Sequence, residues 1–503
     1  MINKSIVKTN LKMYYSVECY FISKLKHTNQ FYAADEYEEE VKMNKKNIAL
    51  IAVLVIVVAG LAMIPAIKNY MITKDPINHI MYSSVQTGKE KNVNATISIK
   101  TELDEKLALE QGMFNQMSQD PEAMAKFANS LLKNFEILYD INMITDDDKD
   151  IFKMDAGLGI NYSGKTLIDG NFYLKPWELG IKAPKLYEKP FYVDFNEVIK
   201  EEGHDINLND IDFKAYIDLI QKEDELYKAV AKNYEPYRKV VYDYLDGKVE
   251  KLDDNKITLN VYGQEKEIKG TKYKLNIDIL SIYDLYADIL EVAKKDENVK
   301  ALVQARVKEL KELVINNKDY EKFGITEEEF NEGMKELEDE INNNWDKGMD
   351  TLIAEFKSFS DMPELEELKN FDSEFILAID KEHMIRQFEL GMQTEFLKIN
   401  EVVSYNAFGD DVKVNIEENA EDKINIMELE TNQALVQEIG KEVVTNLGSE
   451  LIGGEAVEAL VSDIKTESKT LPAEESQQIV NSVEMMLSQA KLLLPMMLNE
   501  IGM

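Results

Sequence analysis

The string Gly159-Ile-Asn-Tyr-Ser-Gly164-Lys165-Thr166 satisfies G-x-x-x-x-G-K-[ST], the loop whose backbone amides cradle nucleotide phosphates ahead of a helix. The next residues, Leu167-Ile-Asp-Gly-Asn-Phe-Tyr-Leu-Lys175, alternate like a strand and contain Gly170. No helix N-terminus is therefore expected to meet a phosphate, and the string reads as a hairpin turn rather than a nucleotide site. Asp146, Asp148 and Asp150 imitate the opening of a calcium loop, yet Ile151 stands where the sharp-turn glycine belongs and no Glu closes the twelfth position, so a solvated acidic turn is expected. His79, His204 and His383 each stand alone in sequence, with no H-E-x-x-H and no second ligand at helical spacing, and read as structural or surface histidines. The single cysteine, Cys19, forbids an intramolecular disulfide, a cysteine-based zinc site and an iron–sulfur cluster. No G-x-S-x-G nucleophile elbow is present. The sequence assigns no catalytic, cofactor-binding or metal-ligating residue, requires no cofactor, and is not expected to be an enzyme.

These residues sit in a chain of 503, long enough for two to four globular units. Its 45% hydrophobic and 30% charged residues, with only 10 Pro and 22 Gly, provide a folded core and exclude wholesale disorder. The 94 acidic against 58 basic residues give a net charge of −36, which opposes the counterion release behind binding to a phosphate backbone. Nucleic acid is excluded as an expected partner.

The most decisive segment is Ile48 to Ile67, apolar on every face and preceded by Lys45 and Lys46. At about 1.5 Å per residue a helix of that length covers the ~30 Å hydrocarbon core, so it is expected to partner the cytoplasmic membrane. Cleavage near Gly60 and Ala62 is the alternative to an uncleaved signal anchor. No Cys lies in or after the run, which removes the acceptor for a lipoprotein anchor. Upstream, Glu39-Glu40-Val41 can be encoded as GAG GAG GTN, which contains a ribosome-binding sequence just ahead of Met43. Residues 1–42 are accordingly read as a translated leader or tail, against the alternative of an acidic juxtamembrane linker, and 43–74 as the signal anchor. Arginine occurs only at 238, 306 and 386, while lysine, Asn and Ile abound, as in an A+T-rich genome; a low-GC Gram-positive bacterium fits. The large acidic remainder is placed outside the cytoplasmic membrane.

Beyond residue 75 the pattern alternates between periods of two and 3.6. Val93, Ala95, Ile97 and Ile99 mark a strand, and Asp120-Pro121 opens a helix whose apolar face carries Met124, Phe127, Ala128, Leu131 and Leu132. Phe135–Thr145, Asp150–Tyr162 and Thr166–Leu174 read as a meander, followed by a helical region from about Asp210 to Leu245 whose tyrosines bury ring faces and keep wet hydroxyls. Ile257–Tyr262 and Thr271–Leu280 form a hairpin signal; three helices come next, centred on Leu285, on Val303 and on the stretch from the cap Thr326 to Phe356. Strands return at Glu374–Ile379, Met384–Phe396, Val402–Phe408 and Val412–Ile416, and helices at Asn432–Leu447 and Glu474–Ile501 close the chain. The last helix has an apolar face running from Ile479 to Leu498 that is expected to dock onto the sheet. The fold class is α+β: an N-terminal transmembrane helix, then a large curved antiparallel sheet packed with helices. The units are 75–250, 251–450 and a C-terminal helical segment 451–503. The order of elements hints at a duplicated half-barrel, although the halves do not align residue by residue.

The strings Lys189-Pro-Phe-Tyr-Val-Asp-Phe-Asn196 and Gly270-Thr-Lys-Tyr-Lys-Leu275 are similar to passages in uncharacterised membrane-anchored extracytoplasmic proteins of clostridia and related Gram-positive bacteria, a domain of unknown function. The meander-plus-helix layout of residues 93–447 in turn resembles, as topology, the lipoprotein-carrier (LolA-type) half-barrel. That resemblance implies an open antiparallel sheet cupping an apolar ligand, and binding rather than catalysis; it carries over no ligand-binding residue. Two function classes emerge: an envelope protein binding a lipid, acylated chain or hydrophobic peptide, or an envelope scaffold whose sheet is filled by its own helices. An enzyme stands third.

Overall fold

The computed structural model describes residues 75–146, 151–201, 207–212, 215–216, 219, 233–253, 255–261, 264–278, 280–322, 324–359, 372–393, 396–417, 419 and 422–501. The expected leader, Cys19, Met43, the apolar run Ile48–Ile67, Asp148, Asp150 and His204 lie outside them. Among the described residues no helix is long and apolar enough to cross a membrane.

The first described helix, α1 (Pro76–Gly88), starts where Asp75 accepts the amides of Ile77 and Asn78 and Pro76 fills the first turn, whose amide has no intrahelical partner to lose. Next come β1 (Val93–Leu103), α2 (Glu105–Glu110), α3 (Pro121–Leu132), and the strands β2 (Phe135–Asp146), β3 (Ile151–Tyr162), β4 (Lys165–Lys175), β5 (Glu178–Ala183) and β6 (Tyr187–Asp194). A helical block interrupts the sheet: α4 (Phe195–Glu201) and α5 (Tyr234–Leu245) precede β7 (Val249–Lys251), β8 (Lys256–Val261) and β9 (Gln264–Leu275). After these lie α6 (Ser281–Lys294), α7 (Glu297–Asn317), α8 (Asp319–Lys322), α9 (Glu327–Asn343) and α10 (Trp345–Phe359). The chain returns to the sheet with β10 (Asp372–Asp380), β11 (Ile385–Gln393), β12 (Leu397–Phe408) and the short β13 (Ile424–Asn425), and ends in α11 (Gln433–Asn446), α12 (Glu455–Glu467) and α13 (Ala473–Ile501).

All strands join one 13-stranded sheet in the order β13-β6-β5-β4-β3-β2-β1-β12-β11-β10-β9-β7, with β8 pairing β9. The molecule is mixed α+β with a large open sheet and packed helices. The sheet is not wholly antiparallel as expected, because β13 lies parallel to β6. β1 sits at its middle, clasped by β2 and β12, so the first strand in sequence joins the two meanders.

The helical block has its own core. Tyr237, Leu290, Val303, Ile341, Trp345 and Met349 pack together fully buried, and the Trp345 indole donates to the Lys294 carbonyl at 2.9 Å. The helix expected from Thr326 to Phe356 is two. It opens with a capping box between Thr326 and Glu329, but Asn344 leaves helical geometry, and the break turns Trp345 into the core. Three of the tyrosine hydroxyls are paired rather than wet: Tyr237 donates to the buried Asp296 at 3.1 Å, Tyr242 to Asp75 at 3.1 Å, and Tyr216 to Asp319. At Asp296 and Asp319, both buried, a carboxylate left unpaired would carry a desolvation cost that the hydroxyl removes.

Three other expectations are corrected. Val412–Ile416 has no strand pairing; it runs as extended chain across the polar side of the sheet, where the Asn415 amide meets Asp155. β5, β6 and α12 have no counterpart among the expected elements. The C-terminal helix α13 does not dock on the sheet: its half-buried stripe of Ile479, Val483, Leu487, Ala490 and Leu494 faces its helical neighbours, and Leu494 lies over Gly448 beyond α11. Met485, Met486, Leu492, Leu493, Met496 and Met497 remain 43–71% exposed.

Candidate functional site

Strand register divides the sheet into two chemically different faces. One row runs Tyr273–Leu377–Phe388–Val403–Ile97–Tyr139–Leu158–Gly170, crossing eight strands with every side chain on one side. The neighbouring row on that side is Ala95–Ile141–Ala156–Phe172–Ile181–Phe191. Period-two alternation places these residues together, and it places the polar residues of the same strands, such as Asp140, Asn142 and Asp155, on the other side.

The apolar face is covered unevenly. Over β9, β10 and β11 it is closed by α1, whose Ile80 packs with Tyr273, Leu275, Phe375, Leu377, Ile379 and Leu390. At one end of β1, Leu103 is closed over by α2 and α3 with Ala108, Phe114 and Ala125. At the end of β3, Tyr162 is fully buried beneath α12 and its hydroxyl donates to Asp463 at 2.9 Å. Beside β6, Asn446 of α11 donates to the Leu186 carbonyl at 3.1 Å. Between these covers the middle of the face stays open: Ile137, Leu158, Ile168, Phe172 and Ile181 are 36–52% exposed. They are contiguous across β2 to β5, with Ile137 opposite Ile160 and Ile160 opposite Ile168. Single exposed aliphatics are ordinary, but a contiguous apolar floor marks a surface that something covers. Gly170 leaves a furrow in this floor, since a Cβ there would meet only the Lys182 carbonyl oxygen, at 3.6 Å.

The sequence-selected motifs fall elsewhere. Gly159 to Thr166 forms the end of β3, a turn at Ser163-Gly164 and the start of β4, and Lys165 pairs with Glu455 at 3.5 Å. No helix begins there.

The histidines, expected to be solitary, are corrected by the structure. His79 Nε2 lies 3.0 Å from His383 Nδ1, and His79 Nδ1 lies 2.8 Å from the Tyr273 hydroxyl. The Tyr82 ring meets the His383 ring edge-on. His383 occupies the β10–β11 turn with φ +62°, a conformation held by Asp380, whose carboxylate accepts the amides of Glu382 and Met384 and the Arg386 Nε at 2.6 Å. Burial, with His383 and Lys251 nearby, lowers the His79 pKa to about 4, and burial pushes Tyr273 up to about 12. Both groups are neutral at pH 7, so the cluster fastens α1 to the sheet. Among the described residues no three imidazole, thiolate or carboxylate groups converge.

The chain matches no family model, and no curated protein or solved structure is significantly similar to it.

Proposed function

We propose that this chain is a membrane-anchored extracytoplasmic protein of a Gram-positive bacterium that holds the acyl part of a lipid or acylated molecule along the open apolar face of β2–β5. The observation that carries the reading is that face: five large aliphatic and aromatic side chains side by side, about half exposed, on a sheet whose other apolar stretches are closed by helices. An acyl chain suits it better than a peptide. The exposed floor offers side-chain hydrocarbon and no strand edge, whereas a peptide brings backbone donors and acceptors that need partners. The anchor in this proposal is Ile48–Ile67, which precedes α1 in the sequence. The likeness to the lipoprotein-carrier half-barrel belongs to the same proposal, with the two meanders on either side of β1 as its halves.

The test is titration of the full-length protein, purified in mild detergent and stripped of lipid, with a fluorescent fatty-acid analogue. Saturable binding weakened at least tenfold by Leu158→Asn and by Ile168→Asn, and unchanged by Asn400→Ser on the exposed polar side of β12, is the expected result. Affinity equal in all variants would place any apolar ligand elsewhere and favour a scaffold.

A further inference from the structure

The open floor of β2–β5 continues past Ile137 to a charged residue. In register, one row on the apolar side reads Leu390–Glu401–Ile99–Ile137–Ile160–Ile168, from β11 across β12, β1, β2 and β3 to β4. Glu401 is its only charged member, and Ile399 and Val403, two residues to either side on β12, face the same way. The helical covers stop on both sides of it: Leu390 lies under Ile80 of α1, and α2 and α3 close over Leu103 at the end of β1. Glu401 itself is half-buried, and Ile99 and Ile137 join it to the open floor.

Carboxylates on the opposite side of these strands are matched. Glu136 pairs with Lys100 at 3.5 Å, Glu374 with Lys274 at 2.8 Å and Glu389 with Lys272 at 3.9 Å. Among the described residues Glu401 has neither a hydrogen-bond donor nor a basic side chain as partner. A carboxylate drawn out of water without a partner carries a desolvation cost, which a cation brought beside it offsets. Set at the end of a hydrocarbon floor, such a group favours an amphiphile with a positive head and repels carboxylate and phosphate heads.

We propose that the open face takes a lipid with a cationic ammonium head, the acyl chain lying across β1 to β4 and the ammonium group against Glu401. This head specificity rests on the acyl-binding reading of the face and adds to it the sign of the charge. From β12 to β4 is four strand spacings of about 4.8 Å, roughly 19 Å in all, so a long acyl chain with its head at Glu401 ends beside Ile168 and the Gly170 furrow.

The experiment compares two fluorescent probes of one chain length, a fatty acid and a primary alkylamine. Each is titrated into lipid-stripped full-length protein in mild detergent, with enough NaCl to screen diffuse attraction to the acidic surface. The amine is expected to bind at least tenfold more tightly than the acid. Glu401→Gln keeps the side-chain shape, removes the charge and is expected to abolish that preference; Glu401→Lys is expected to invert it. Glu102→Gln, exposed on the opposite side of β1, is expected to leave it as in wild type. Leu158→Asn is expected to weaken both probes, since both chains use the same floor. No amine preference in wild type, one that survives Glu401→Gln, or an equal loss in Glu102→Gln overturns the head assignment, and if Leu158→Asn still weakens both probes the acyl-binding face stands without it. Affinities indifferent to Leu158→Asn overturn the acyl-binding face and the head assignment together.

Discussion

Gly170→Leu fills the furrow from within. The backbone accepts a side chain there, because the nearest atom to a new Cβ is the Lys182 carbonyl oxygen at 3.6 Å, an ordinary contact. A glycine inside a strand costs about 0.5–1 kcal/mol relative to Ala, so the substitution is expected to hold or raise the melting temperature. The new side chain points into the row of Tyr139 and Leu158, where the acyl chain is placed. Its four carbon atoms displace about four methylenes, and at ~0.8 kcal/mol per buried CH2 the ligand loses roughly 3 kcal/mol, about a hundredfold in Kd. Titration of the fluorescent fatty-acid analogue, with scanning fluorimetry on the same samples, reads both quantities. Affinity within about twofold of wild type in a variant of unchanged melting temperature would refute the reasoning, because an occupied furrow cannot be filled without loss.

His79 is neutral in the fold, with its pKa lowered to about 4, while the unfolded chain takes up the proton near pH 6.5, so the unfolded state binds more protons between those values. Stability is therefore expected to fall by up to about 3 kcal/mol as pH drops from 6.5 to 4, and His79→Gln to flatten that slope in urea titrations across the range. Gly270→Ala sets a Cβ 2.3 Å from the Ile379 carbonyl oxygen and 2.4 Å from Ile257 Cδ1, where backbone cannot give way, so a loss of about 1–3 kcal/mol or more and a lower melting temperature are expected. Tyr237→Phe strips the buried Asp296 of a donor, and chemical denaturation is expected to register about 1–3 kcal/mol, with an unchanged midpoint counting against that contact.

The alternation of Val93, Ala95, Ile97 and Ile99, and of the three strands after it, is a local signal, and β1 to β4 are legible from it. β5 and β6 escape sequence reading because Pro190 and Gly180 interrupt short runs whose pairing comes only from neighbours. The apolar rows are readable strand by strand, but their openness is not: exposure depends on where α1, α3, α11 and α12 come to rest. For α13 the pattern reveals an apolar face wider than one neighbour can cover, so Leu494 is packed while Leu493 and Met497 are left out. His79 and His383 meet across a sequence separation of 304, and no spacing rule reports such a contact. Asp140 and Asp155 look in sequence like ordinary polar positions of alternating strands; only the β2–β3 register makes them diagonal neighbours.

The measurement that bears most directly on the central claim is native mass spectrometry of the full-length chain released gently from its own membrane, wild type beside Gly170→Leu. An acyl-bearing adduct at one per chain on the wild type, absent from Gly170→Leu, is the predicted result. A bare mass for both proteins, or the same adduct on both, would contradict the proposal that the open face of β2–β5 holds an acyl chain.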